Sequence, residues 1–585
     1  MKMKHRFSRS LFVTVGVAAI VATAAAVDAA PPKAGFDWVT VVNNTDLMPP
    51  LDVRNFNSYN QPSVNVDGLV VIRARSRGGP PLGQPTHGIY TRDMSMEGPI
   101  VRILDRTTLV PQPNNLGTTF VETPSFPRID IDSDTIATRG NHQPVWTYTP
   151  PDSDETRAGT TGIYTNPFDD LITGAAKLGA VPAFSFFEVP EFPGTTFEVF
   201  PGAPSVTEGD TIVFKGNYTD PDDGSARTGV YYRELDNAPA GGVSPMVLIA
   251  NSTDTLIPGT DTVFGSTAPP SAAGERVVFA GFDNEDAPTL GGIYLAALEP
   301  QPPLTTLVSI GERVPGESRN ATFNGLGEGG AFDGRFVGFW GAWGEETRTV
   351  RLYCPTEGNR DRIDYCNQAL VCEDTGETIG DENSICDDET DPNFGISCYQ
   401  DKEVPVNQGM FVHDIDTNST RIVAKTGPQF DEFLFWNFSG KTPGTGGGHS
   451  EDGDADDGEP ARWRSSAFVA VSGRGATFKA AFKARTGELD DDGVYVDPVD
   501  GIYLGRWPGR GRPSIATVLD TTMDGQLLDP EAPEGSTIAE LGLEREGLRG
   551  DWLAVSAKMG IAVIEEEEVD EDDDMAGVYL TTVPK

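Results

Sequence analysis

Four residues of this 585-residue sequence have the types and spacing for acid–base chemistry: His87, Arg139, His142 and Tyr148. A histidine, a tyrosine and an arginine can together remove the proton beside a carboxylate and eliminate across a sugar bond. Imidazole and phenol serve as base and acid, and guanidinium neutralises the carboxylate. His87 ends the acid-free stretch "SRGGPPLGQPTH". His142 opens a loop within "TRGNHQPVWTY". The opposing reading is plain: loop histidines are usually polar surface residues. There is no G-x-S-x-G, no H-E-x-x-H and no Walker loop, so those hydrolase and nucleotide classes have no support.

A second group could hold a hard cation. Asp220 and Asp222 lie in "TDPDDGS", and Asp452, Asp454 and Asp456 alternate in "DGDADDGEP". Carboxylate-rich turns with glycine supply oxygen ligands of the kind calcium takes. The second turn departs from the EF-hand pattern, because its glycine, Gly458, comes one place late. A solvated acidic surface is the competing reading. Calcium is the cofactor these acidic turns raise.

The five cysteines, Cys354, Cys366, Cys372, Cys386 and Cys398, fall in one stretch. In an exported chain such a cluster reads as disulfides with one thiol left over, and the pairing stays open. Zinc is the alternative, but no C-x-x-C and no nearby histidine accompany the cysteines.

Export is expected from the start of the chain. Lys2, Lys4, Arg6 and Arg9 precede an apolar run, and "VDAA" offers small residues for cleavage after Ala29. The sequence divides into a signal peptide at 1–29 and one unit at 30–585. That unit carries a cysteine-rich acidic insertion at about 345–405 and a Gly/Asp-rich loop at about 440–462. The formal net charge is −44. A chain this acidic repels nucleic acid and anionic membrane surfaces. No later stretch is apolar enough to span a bilayer. The expected location is extracellular or periplasmic.

The elements that must position these residues come from a repeat. "GIYTRD" at Gly88 returns as "GIYTNP", "GVYYRE", "GIYLAA", "GMFVHD", "GIYLGR" and "GVYLTT", beginning at Gly162, Gly229, Gly292, Gly409, Gly501 and Gly577. Each phrase follows a β-prone run such as "GLVVIRA", "DTIATRG", "DTIVFKG" or "RVVFAGF". Runs of Val, Ile, Phe and Thr bounded by Gly and Asp read as strands, and apolar residues at consecutive positions suit burial on both faces. A third segment, for example "LTTLVSIGERVPGESRNATF", adds a strand, a Pro-Gly turn and a further strand. The two longest intervals between phrases hold the cysteine insertion and the Gly/Asp-rich loop.

Seven units of about four strands predict an all-β fold, a seven-bladed β-propeller. A β-solenoid and a string of β-sandwiches are the alternatives. The last unit stops soon after "GVYLTTV", and "FDWVTVVNNTDLMPP" near the start resembles its missing strand. The N-terminal segment is therefore expected to complete the last blade and close the ring, removing exposed edges. The loops before each phrase should share one face. They are acidic in every blade but the first, so that face should be negative. The Gly/Asp-rich loop is expected on the opposite face.

Carried by the seven G-[IVM]-[YF] phrases and the strands before them, the sequence resembles exported bacterial β-propellers with G-I-Y tandem repeats, distantly similar to TolB-type propellers. The resemblance implies export and a propeller, and no catalytic residues. A binding or scaffold role toward a protein or glycan is favoured over catalysis. A polysaccharide-lyase-like enzyme and a calcium-stabilised matrix or surface component are the alternatives.

Overall fold

The computed structural model describes residues 35–583 together with 31 and 33, except 51–52, 79–82, 150–153, 355–365, 367–370, 373–397, 442–458, 510–512 and 562–573. The signal segment, Cys386, Asp452, Asp454 and Asp456 lie outside these residues.

Seven antiparallel sheets, each ordered in four positions lettered A to D from the axis outward, form the blades of a β-propeller, and in five of them strand A is broken into two pieces that both pair with strand B. In blades 1 to 7, strand B is Leu69–Ser76, Ile136–His142, Thr211–Thr219, Arg276–Phe282, Phe336–Trp343, Thr477–Leu489 and Trp552–Gly560. Strand C carries the repeated phrase. It is His87–Asp93, Thr161–Thr165, Ala226–Glu234, Gly291–Ala297, Gln408–Asp414, Tyr495–Trp507 and Met575–Thr582. The further strand that follows each Pro-Gly turn is strand A of the next blade, so the sequence unit and the blade are out of phase. Short inner strands, among them Ser63–Val64, Arg128–Ile129 and Leu548–Arg549, pack side by side around the axis.

The ring closes as its two ends predicted. Trp38–Asn43 pairs with Met575–Thr582 and becomes strand D of blade 7, with Val39 opposite Leu580. At the axis, the Val64 N–H of blade 1 donates to the Glu546 carbonyl of blade 7 at 3.0 Å. Both edges of the array are thereby satisfied.

The repeated phrase has a packing cause. Each phrase glycine faces Gly or Ala on strand B: Gly229 faces Gly216, and Gly88 faces Ala74. The aromatic ring two positions on folds back over this bare pair. A Cβ on Gly229 would lie 2.5 Å from the Tyr231 Oη, and one on Gly216 would lie 2.6 Å from the Phe197 ring. Phe197 meets Tyr231 edge-on at 4.9 Å. Edge-on pairs recur as Phe56–Tyr90, Phe120–Tyr164, Phe264–Tyr294, Phe323–Phe411 and Phe430–Tyr503. In blade 7 the Tyr579 hydroxyl instead donates to Asp529 Oδ2 at 3.0 Å. Gly216→Ala is therefore expected to cost about 1–3 kcal/mol by overpacking, read as a lowered unfolding midpoint. An unchanged midpoint would show that Phe197 yields freely.

One expectation is corrected. The Gly/Asp-rich loop joins Phe435–Lys441 to Glu459–Ser466, a hairpin between strand D of blade 5 and strand A of blade 6. In a four-stranded antiparallel blade, D-to-A connections leave from the same face as B-to-C loops. The base of that hairpin therefore stands on the acidic face and not opposite it. The cysteine insertion rises beside it through Thr347–Tyr353 and Cys398–Pro405, between strands B and C of blade 5. The Arg348 guanidinium ties the insertion to the segment before that hairpin and to blade 6, reaching Glu432 at 3.1 Å and the Tyr495 hydroxyl at 2.7 Å.

Candidate functional site

The axis is blocked partway by the segment Glu544–Arg549 of blade 7, which reaches five other blades, blade 1 through the Val64–Glu546 hydrogen bond and four more through side chains. Arg549 donates to the carbonyls of Val471 and Phe332, both at 3.1 Å. Arg545 donates to the Pro269 carbonyl at 3.2 Å. Arg128 of blade 2 pairs with Glu544 at 3.0 Å and with Glu546. Arg128 and Arg549 are buried, and burial pulls both guanidinium groups down, Arg549 to about 10. Charged groups removed from water this fully need partners, and the segment supplies them.

This plug is the floor of a funnel that opens on the face of the B-to-C loops. The funnel holds about 340 Å³. Glu544, Arg545 and Arg128 line its base, and Trp340, Phe468 and Phe126 are among its walls. Concave sites of this size, mainly apolar with a few convergent polar groups, suit small ligands. A second cavity of about 1000 Å³ lies between blades 7 and 1, lined in part by Tyr59, Arg75, Glu540 and Lys558. It is wider and more polar.

Trp340 stands one residue before Gly341, the strand-B partner of the phrase glycine Gly409. The same register position holds Arg73, Arg139, Lys215, Ala280, Lys483 and Ser556 in blades 1, 2, 3, 4, 6 and 7. Four of the seven are basic and none is acidic, in a chain with 88 acidic and 44 basic residues. Burial lowers the pKa of all four, Lys483 to about 8. Arg73 donates to the Thr123 carbonyl and to Asn60. The Arg139 Nε is buried without a partner. Among the described residues no carboxylate pairs with Arg139, Lys215 or Lys483. Lys483 Nζ instead lies 3.9 Å from the centre of the Phe435 ring. Around this core, Asp154, Glu155, Asp222, Asp223, Glu285, Asp286 and Asp490 to Asp492 are exposed on the loops of the same face.

The basic register was present in the sequence and was missed. "GLVVIRA", "DTIATRG" and "DTIVFKG" each carry a cation immediately before the small residue that faces the phrase glycine. Read one at a time, each is an ordinary charge at a strand end. Only alignment by the repeat puts them in one ring.

The structure separates the sequence-selected residues. His142 is buried, its Nδ1 lies 2.7 Å from the Gln143 carbonyl, and its ring packs against Phe120 and Tyr164. Burial lowers its pKa. Arg139 lies on the same strand three residues earlier and so leaves the opposite face of the sheet. Tyr148 is in the hairpin Trp146–Tyr148 with Thr156–Ala158. His87 is half-buried at the start of strand C in blade 1. Burial first, then Arg75, Arg73 and Arg106, push its pKa down to about 4. No contact among the described residues joins His87 to His142.

Asp220 is buried, accepts the Asp222 N–H at 3.0 Å and lies 3.4 Å from the Arg227 Nε, while Asp222 is exposed. Among the described residues no three His, Cys, Asp or Glu side chains stand together as a metal-holding group. Cys354 and Cys366 form a disulfide. Cys372 lies opposite Cys398 in the strand ladder.

No family model and no curated protein matches this sequence. The chain is similar to an oligogalacturonate lyase solved in complex with manganese, at 9% identity and a TM-score of 0.35, over 95% of this chain and 99% of that one. It is also similar to levansucrase from Bacillus subtilis, at 9% identity and a TM-score of 0.23, over 61% of this chain and 76% of the other. Likenesses this distant say nothing about activity. What the chain itself presents is a β-propeller with a closed-bottomed funnel on its loop-bearing face.

Proposed function

We propose that this protein is an exported, non-catalytic propeller that binds its ligand in the funnel. The observation that carries this reading is the floor: Glu544–Arg549 converts an axial channel into a pocket with aromatic walls. Export rests on the N-terminal signal pattern and is consistent with the Cys354–Cys366 disulfide, which persists in oxidising surroundings. No helix among the described residues is long and apolar enough to cross a membrane.

The test uses Gly329, which lines the funnel and where an added Cβ would meet no neighbour closer than 4.0 Å. Gly329→Tyr should fill the mouth without disturbing the fold. The mature protein is screened against glycan and protein panels, and each hit is repeated with the variant. Hits lost in the variant at an unchanged melting temperature support the funnel. Hits retained by the variant place binding elsewhere.

One observation favours a second reading, lyase-type elimination. His87 is a neutral imidazole at pH 7 beside Arg73, Arg75 and Arg106, a base next to groups that can neutralise a carboxylate. Under that reading, incubation with acidic polysaccharides yields unsaturated products and His87→Ala abolishes them. Wild-type protein that releases no unsaturated product excludes it.

A further inference from the structure

We infer that the funnel takes an acidic saccharide, a sugar bearing a carboxylate, with Lys215 and Lys483 facing the anionic group and Trp340 and Phe468 facing the rings. The inference rests on the funnel being the binding site and adds the chemistry of the ligand.

Four observations lead there. First, Trp340 lines the funnel, and the blades repeat one geometry around the axis. Lys215 and Lys483 hold its register position on blades 3 and 6, and each has a funnel-wall residue as a neighbour, Glu328 for Lys215 and Phe468 for Lys483. Second, Lys215 is buried yet has no hydrogen bond and no ion pair among the described residues. Its electrostatic neighbours include Glu328 on the funnel wall and Arg464 on the hairpin above it. Third, the Lys483 ammonium lies between the Phe435 ring and Phe468, and Phe468 is itself a funnel wall. Fourth, the chain holds twice as many acids as bases. Glu328 and Glu285 act on Lys215 from a distance, as Asp500 and Glu540 do on Lys483, but among the described residues no carboxylate forms an ion pair with either. A buried cation without an ion-paired carboxylate is costly, and a ligand carboxylate at hydrogen-bond distance lowers that cost.

The rest of the pocket suits a sugar. Aromatic faces accept the apolar faces of sugar rings, and Ser465, Ser466 and Glu328 offer hydroxyl and carboxylate partners for hydroxyl groups. A volume of about 340 Å³ admits one or two rings and excludes a folded partner. The acidic rim repels an approaching anion, so association should quicken when salt is added.

The experiment is calorimetry and tryptophan fluorescence on the mature protein. The probes are trimers of galacturonate and glucuronate, the neutral trimers of galactose and glucose, and an aspartate-rich peptide. Trp340→Phe identifies the fluorescence change that belongs to the funnel. The expected result is that an acidic trimer binds at least about tenfold tighter than its neutral counterpart. Lys215→Met and Lys483→Met should each weaken it by at least about tenfold, with melting temperatures unchanged or raised. If acidic and neutral trimers bind alike and both lysine variants keep full affinity, the charge inference falls while the funnel reading stands. If only the peptide alters Trp340, the ligand is not a saccharide. If no probe alters Trp340, both readings are overturned.

Discussion

Arg128→Met is expected to destabilise the protein by about 3–5 kcal/mol, the usual cost of removing one partner from a buried ion pair. The guanidinium lies between Glu544 and Glu546, and all three side chains are buried near the axis. Methionine fills much of the same volume, so the loss is electrostatic rather than a cavity. Two carboxylates are left without their shared cation in the centre of the ring. Their positions tie blade 2 to blade 7, so the loss weakens the closure of the propeller and not a single loop. The measurement is urea unfolding of both proteins. Glu544 and Glu546 would keep only Arg545 at 3.5 Å and Arg549 at 3.7 Å beside them, so adding Glu546→Gln to the variant should recover part of the loss by removing one under-compensated charge. A cost below about 1 kcal/mol for Arg128→Met would mean that water reaches the plug and screens it.

Lys483→Met is expected to act in the other direction and raise stability at pH 7 by about 2 kcal/mol. The folded-state pKa of Lys483 is about 8 against an ordinary 10.5, and burial is the main cause. Asp500 and Glu540 oppose the shift, Arg485 adds to it, and the rings of Phe435 and Phe468 cover the remaining approach. A shift of this size corresponds to about 3 kcal/mol, from which about 1 kcal/mol of ammonium–ring attraction is lost on substitution. The sign follows from proton binding. Between about pH 8 and pH 10.5 the unfolded chain holds the proton that the folded chain has released, so wild-type stability rises across that window. Below pH 8 the penalty is present in full. The variant lacks this rise, and the gap between the two proteins should close by about pH 10.5. Unfolding curves for both proteins at pH 7, 9 and 10.5 test this. A variant less stable than wild type at pH 7 would show that the ring contact outweighs dehydration. A charge kept at the expense of stability is what a binding residue looks like.

How much was legible in the sequence follows from where each feature's cause lies. The phrase G-[IVM]-[YF] determined the architecture by itself. Its cause is local to one blade: a glycine facing Gly or Ala, and a ring folded over the pair, as at Gly229, Gly216 and Tyr231. Seven such units whose ends look like parts of one blade leave closure as the economical arrangement, and Trp38–Asn43 does complete blade 7. The candidate site was far less legible. His87 and His142 drew attention by type, but a side chain's surroundings depend on which face of the strand it leaves, and His142 turns inward against Phe120 and Tyr164. "LEREGLR" at 543–549 reads as a charged surface turn. Only the convergence of seven inner strands on one axis buries it and makes it a floor. Arg73, Arg139, Lys215 and Lys483 are distant in sequence and unremarkable alone. The repeat gives them one register position on strand B, which sets Lys215 near Glu328 and Lys483 beside Phe468, two residues of the funnel wall. Local packing was thus written in each repeat, while the funnel, its floor and its cations exist only where repeats from all around the ring meet.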